Sequence, residues 1–172
     1  MAETAIIVAI PEAEPLIELF RRQHTEDGRQ GVPSHVTLLY PFTDTSLLAA
    51  GRVNEVAEVI RSFSSFEFSL ASVAYFPTTP RVLYLQPDPE TPFRGMTRAL
   101  VAAFPEHRPY NGEYVDSPPH ATIAVASDQV LADIERTVLP SLPVAARATA
   151  ASLIEHDDET NVWRVYRRIP LS

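Results

Sequence analysis

Two tripeptides of the same kind, His35-Val36-Thr37 and His120-Ala121-Thr122, each open a short apolar run, HVTLLY and HATIAV. In an extended strand, residues i and i+2 point to one face. His35 therefore shares a face with Thr37, and His120 with Thr122. Val36, Leu38 and Tyr40 are expected to point the other way, as are Ala121, Ile123 and Val125. Proline precedes each run, as Pro33 and as Pro118-Pro119, and favours an extended entry. Imidazole titrates near neutrality, so one ring can take a proton while a second, charged ring gives one. Two threonine hydroxyls can donate to non-bridging phosphate oxygens, where charge builds up. The set suits phosphodiester cleavage, with the base acting on water or a ribose hydroxyl and the acid on the departing oxygen. It requires neither metal nor cofactor.

Other side chains are read in relation to this pair. Arg81 (RVLY) and Arg164 (RVYR) occupy similar late-strand places and can neutralise a phosphate, or stand as solvated strand-edge charges. Tyr110 and Tyr114 lie in the long loop Pro105 to Pro119 and are the stacking candidates for a base. That loop is expected to border the cleft and shape specificity. Tyr40, on the face opposite His35, is expected to pack in the core. His24, His107 and His156 have no partner at metal-ligand spacing, so no metal site is expected.

The elements that must position these residues follow from the hydrophobic pattern. Ala5–Ile10 reads as a buried strand. Leu16, Leu19, Phe20 and Gln23 mark one face of a helix, and residues 24–34 a polar loop. A strand at 35–40 precedes a helix at 46–61, capped by Asp44 or Thr45. Strands at 66–76 and 81–86 flank the turn Pro77 to Pro80. The second half reads as a helix at 91–104, the strand 120–125, a helix at 127–138 and strands at 144–154 and 162–169. The order helix, H-x-T strand, helix, strand, strand occurs twice, which predicts two similar lobes rather than a solenoid. In this reading Ala5–Ile10 has no counterpart in the second half.

Length and composition narrow the function classes. With 172 residues the chain makes one domain or two small lobes sharing a core. Fourteen basic residues, all arginine, against 22 acidic ones leave a net charge of −8. That disfavours an extensive nucleic-acid surface but not a local phosphate site. The absence of cysteine removes thiol nucleophiles, disulfides and zinc–thiolate sites. The apolar run Ala5–Ile10 is far short of the roughly 20 residues a spanning helix needs. A cytoplasmic monomer acting on a small nucleotide phosphodiester or a short RNA end, with no membrane partner, is the expectation.

The stretches GVPSHVTLLYPF (Gly31–Phe42) and SPPHATIAVA (Ser117–Ala126) resemble the paired motifs of the 2H phosphoesterase superfamily. This superfamily includes bacterial 2′-5′ RNA ligase-like proteins and cyclic phosphodiesterases. The resemblance implies an α+β, bilobal, pseudo-symmetric fold of duplicated α-β-α-β-β lobes with mostly antiparallel sheets facing a central cleft. It implies a single domain over residues 1–172, with halves at about 1–90 and 91–172. His35 and His120 would be the acid–base pair, in an order left open, and Thr37 and Thr122 would hold the phosphate. The implied reaction is cleavage of a 2′,3′-cyclic phosphate or a 2′-5′ phosphodiester. Ligation of RNA ends and non-catalytic nucleotide binding are the alternatives.

Overall fold

The apolar run AIIVA, rich in β-branched residues, forms strand β1 (Thr4–Ala9). Helix α1 (Glu14–His24) and the single turn α2 (Glu26–Arg29) lead to β2 (His35–Leu39). There follow α3 (Ala50–Arg61), β3 (Phe66–Phe76), β4 (Arg81–Asp88) and α4 (Thr91–Ala103). The chain ends with β5 (Ala121–Ala126), α5 (Asp128–Val138), β6 (Val144–Ala148), β7 (Ala150–Asp157) and β8 (Val162–Pro170). This computed structural model describes residues 2–113 and 116–172. Tyr114 therefore lies outside the described residues.

The eight strands make two four-stranded antiparallel sheets, ordered β2-β1-β7-β8 and β5-β4-β3-β6. The fold is α+β and duplicated, as expected, but its sheets are not the sequence halves. The first sheet combines β1 and β2 with β7 and β8 from the far end of the chain. The second combines β3 and β4 with β5 and β6. The structural repeat is strand, helix, H-x-T strand, helix: β1-α1-β2-α3 and β4-α4-β5-α5. Strand β1 thus has β4 as its counterpart, contrary to the sequence reading. The helices cross over as well: α1 packs against β5 and α4 against β2.

Three local expectations are corrected. The strand predicted at 144–154 is two strands in different sheets, divided at Thr149. Its buried positions change phase there, from Ala146 and Ala148 to Ala151 and Leu153, so one continuous strand could not bury both sets. The buried stripe of α1 continues Ala13 through Ile17 to Arg21, at spacing four, while Leu19 is 64% exposed. Asp44 caps a short 3-10 turn, Thr45–Leu47, by accepting from the Ser46 amide, and α3 starts only at Ala50.

The main core lies between helices and sheets. Phe93 of α4 is fully buried, with its ring set edge-on to Phe66 (5.1 Å) and Phe68 (5.0 Å). Burying one such ring is worth about 2–3 kcal/mol, before the contribution of the aromatic contacts. A smaller cluster of Ala5, Ile7, Val32 and Ile154, with Tyr40 and Trp163 against it, floors the opposite face of the first sheet. Among the described residues no helix is long and apolar enough to cross a membrane.

Candidate active site

Each H-x-T strand runs along the edge of its sheet, β2 beside β1 and β5 beside β4. Both tripeptides line one cleft of about 980 Å³, so His35, Thr37, His120 and Thr122 come together as predicted. The two rings are held alike. His35 Nδ1 donates to the Pro33 carbonyl at 2.7 Å, and His120 Nδ1 donates to the Pro118 carbonyl at 2.7 Å. A carbonyl only accepts, so Nδ1 carries the proton and Nε2 of each neutral ring is the basic nitrogen. The prolines thus set the tautomer as well as the strand entry.

The strands also share a bulge. Ile6 and Ile7 face Leu39 and Thr37, which leaves Leu38 as the extra residue. Leu83 and Tyr84 face Ala124 and Thr122, which leaves Ile123 extra. Each bulge lies three residues past its histidine and reverses the alternation beyond it. Tyr40 and Val125 therefore line the cleft, where strict alternation would put them in the core. Tyr40 OH donates to Glu3 Oε2 at 2.8 Å. Burial, then Glu3, pushes this phenol up to about 12, so it stays a donor.

The two imidazoles sit in different surroundings. His120 packs edge-on to Phe76 (4.8 Å) and Tyr84 (5.5 Å). His35 Nε2 lies 3.8 Å from Asp27 Oδ2. Burial pushes His35 down to about 4; Asp27 opposes this and Arg21 adds to it. Burial also lowers His120, with the Pro118 carbonyl opposing. Both rings are thus neutral near pH 7, and an anion between them would favour their charged forms. For Asp27, burial pushes the carboxyl up, but His35, Arg21 and Thr25 together draw it below its ordinary value.

Arg21 and Asp27 escaped the sequence reading. Arg21 is 2% exposed, and its guanidinium donates to the Val32 carbonyl (2.9 Å), the Thr122 carbonyl (3.2 Å) and Asp27 Oδ2 (3.4 Å). It joins the chain before His35 to the strand that follows His120. Its one signal in sequence is its place four residues after Ile17 and eight after Ala13. Asp27 belongs to α2, a turn within the stretch read as a loop, where the Thr25 hydroxyl accepts from the Gly28 amide (3.0 Å).

Neither arginine predicted for the phosphate lines the cleft. Arg81 pairs with Asp128 (3.5 Å) and lies over the Tyr75 ring (4.0 Å). Arg164 pairs with Asp157 (2.9 Å), because its neighbour Trp163 takes the inward strand position. Tyr110 does line the cleft, along with Glu113, Asp116 and Ser117, so the 105–119 loop borders the site as expected. Tyr40 is flanked by Tyr110 (centroids 6.3 Å) and Trp163 (6.2 Å), which forms an aromatic wall. His156 also lines the cleft, beside Trp163, and bonds Asp158 (2.9 Å) and Asn161 (3.0 Å). The described lining contains no arginine but includes Glu3, Glu26 and Asp27.

Comparison with known proteins places this architecture. No curated protein matches the chain significantly in sequence. Among solved structures, Escherichia coli LigT complexed with 3′-AMP superposes with a TM-score of 0.64 at 16% identity, over 99% of this chain and 98% of that one. TT0787 of Thermus thermophilus gives 0.64 at 19% identity, over 98% and 97%. A structure described as a phosphoesterase gives 0.61 at 14% identity, over 100% and 99%. These likenesses establish the fold. The family model of the 2′-5′ RNA ligase superfamily matches residues 10–160. With a match of that extent and the same fold from end to end, the chain belongs to the 2′-5′ RNA ligase superfamily, the 2H phosphoesterases.

Proposed function

We propose that the protein is a metal-independent phosphodiesterase that opens a 2′,3′-cyclic phosphate or cleaves a 2′-5′ phosphodiester of a small nucleotide or short RNA end. The observation that carries this reading is the pairing of two H-x-T strands across one cleft, with each histidine clamped through Nδ1 and left basic at Nε2. One Nε2 takes the proton of water as its oxygen attacks phosphorus; the other donates a proton to the departing ribose oxygen. Thr37 and Thr122 hold the non-bridging oxygens, whose charge grows in the transition state.

The aromatic wall of Tyr40, Tyr110 and Trp163 offers a face for one nucleobase. Escherichia coli LigT has been crystallised with 3′-AMP, ATP, NADP+ and phosphate, which fits a cleft of nucleotide size. The acidic lining favours a small ligand over a long RNA, whose successive phosphates it would repel.

The test is a panel of 2′,3′-cyclic nucleotides and 2′-5′ oligonucleotides assayed with chelator present. Turnover that falls about 10²–10⁴-fold in His35→Ala and in His120→Ala is expected. Absence of turnover by wild type, or turnover indifferent to both substitutions, refutes the proposal. Joining of RNA ends by the same histidines would establish ligation as the working direction.

A further inference from the structure

The floor of the cleft is ordered along one strand. Ala9, Ile7, Ala5 and, one residue before β1, Glu3 share a face by alternation, and the last three line the cleft. Ala9 pairs with His35 and Ile7 with Thr37, at the phosphate end. Tyr40 and Trp163 pack on the cluster that contains Ala5. Glu3 comes last: its carbonyl accepts from the His156 amide (2.9 Å) and its carboxylate from the Tyr40 hydroxyl (2.8 Å). From Ile7 to Glu3 is about 13 Å at the usual strand rise. Phosphate-holding threonine, aromatic wall and carboxylate thus follow the order of phosphate, ribose and base in a nucleotide.

Hydrogen-bonding groups at this end are unbalanced. The Tyr40 hydroxyl is spent on Glu3, and Trp163 Nε1 on Gln30 Oε1 (3.1 Å). Gln30 Nε2 donates to Glu26 Oε1 (3.3 Å) and Asn161 Oδ1 (3.0 Å). Both ring nitrogens of His156 lie against oxygens of Asp158 and Asn161, so each N–H the ring carries is taken. A carboxylate, by contrast, accepts about four hydrogen bonds, and Glu3 spends one on Tyr40. An exposed carboxylate beside a stacking surface therefore calls for a base that brings donors. Of the four bases only guanine has two adjacent ones, the ring N1–H and the N2 amine, which fit a carboxylate bidentately. Adenine and cytosine set one amine beside a bare ring nitrogen, whose lone pair opposes the carboxylate. The single ring N–H of uracil lies between two carbonyl oxygens. We infer that Glu3 is a specificity residue that accepts from the N1–H and N2 amine of a guanine lying against the aromatic wall, so that the preferred ligand is a guanine nucleotide. This rests on the nucleotide reading of the cleft given above and adds the identity of the base to it. The Tyr40 hydroxyl holds the carboxylate beside the wall. Asn161, whose Oδ1 accepts twice, retains its amide N–H groups among the described residues, and the guanine O6 is the acceptor that suits them.

Calorimetric titration with the 3′-monophosphates of guanosine, adenosine, cytidine and uridine reads the base without any turnover. Wild type should bind 3′-GMP about tenfold more tightly than 3′-AMP or 3′-CMP, with 3′-UMP weakest. Glu3→Gln keeps an acceptor for Tyr40 but offers the base one acceptor and one donor, the pattern that matches adenine. It should lose about tenfold for 3′-GMP and bind 3′-AMP at least as well as wild type does. Glu3→Ala should level the four affinities. Equal wild-type affinities, or tightest binding of any base but guanine, overturn the inference. So does a Glu3→Gln protein weakened alike for all four, which is what a merely structural role for Glu3 predicts. Absence of binding by all four overturns it together with the nucleotide reading. If guanine is preferred in binding but no cyclic nucleotide is turned over, the phosphodiesterase reading fails and base recognition stands. If all four 2′,3′-cyclic nucleotides are opened with equal kcat/KM, that reading stands and the role of Glu3 fails.

Discussion

His35 and His120 are each held neutral by burial, and that has a cost when the medium turns acid. In the unfolded chain a histidine titrates near 6.5, whereas folding lowers His35 to about 4. Between those values the unfolded state binds the proton and the folded state does not, so stability falls as pH falls through that window. His35, only 11% exposed, should contribute a loss of roughly 2 kcal/mol between pH 7.5 and 5 in chloride buffer. His120 acts in the same direction. His156 opposes the trend: burial lowers it, but Asp158 and Asn161 raise it further. Urea unfolding of wild type and His35→Gln at the two pH values isolates the His35 part; an equal loss in both proteins would contradict the assignment. At this scale the repeated H-x-T pattern was legible because two copies of one tripeptide opened matching apolar runs. Arg21 and Asp27 were not. A charged side chain on a helix or in a polar stretch is ordinarily solvated; only its spacing from Ala13 and Ile17 marks Arg21 as an exception, and nothing in the chain marks Asp27. Arg81 and Arg164 illustrate the converse: similar places in sequence put both at ion pairs away from the cleft.

Among the elements, the turn α2 and the two bulges direct side chains that alternation alone misplaces. Gly28 packs so closely that an added methyl would run into the Arg21 carbonyl and the Thr25 hydroxyl. Gly28→Ala should therefore cost about 1–3 kcal/mol in thermal or chemical unfolding and also disturb His35, since the Gly28 amide orients Asp27. Gly51, in the first turn of α3, has open space around its Cα. Gly51→Ala is the control and should stabilise by about 0.5–1 kcal/mol. Loss of stability at Gly51, or none at Gly28, would refute this account of the packing. Strand periodicity gave Tyr40 and Val125 to the core because a bulge leaves no mark in a run of apolar residues. HVTLLY and HATIAV read as regular strands, and only the partner register exposes Leu38 and Ile123 as the extra residues. The break at Thr149 was hidden similarly, between two stretches that each have good strand character.

Over the whole molecule, the net charge of −8 and the arginine-free described lining of the cleft act together. Affinity for a single cyclic nucleotide should change by no more than about fourfold between roughly 50 and 200 mM salt, against about 10³–10⁵-fold for a surface neutralising many phosphates. Calorimetric titration at the two salt concentrations measures this, and a steep dependence would contradict it. The repeat was legible from the order of elements, but the exchange of strands between sheets was not. Pairing of distant strands depends on contacts across the fold, and local pattern carries no record of them. That exchange bears on how the protein is made. A ribosome releases β1 and β2 early, together with β3, β4 and β5, so most of the second sheet can assemble while synthesis continues. Strand β7, which covers the other side of β1, emerges near the end. Until then the nascent chain carries an apolar strand, AIIVA, with one row of amides and carbonyls unpaired, an adhesive edge of the kind that recruits chaperones or neighbouring chains. Messages truncated before the codon for Ala150 should consequently yield aggregated product rather than a half-active fragment.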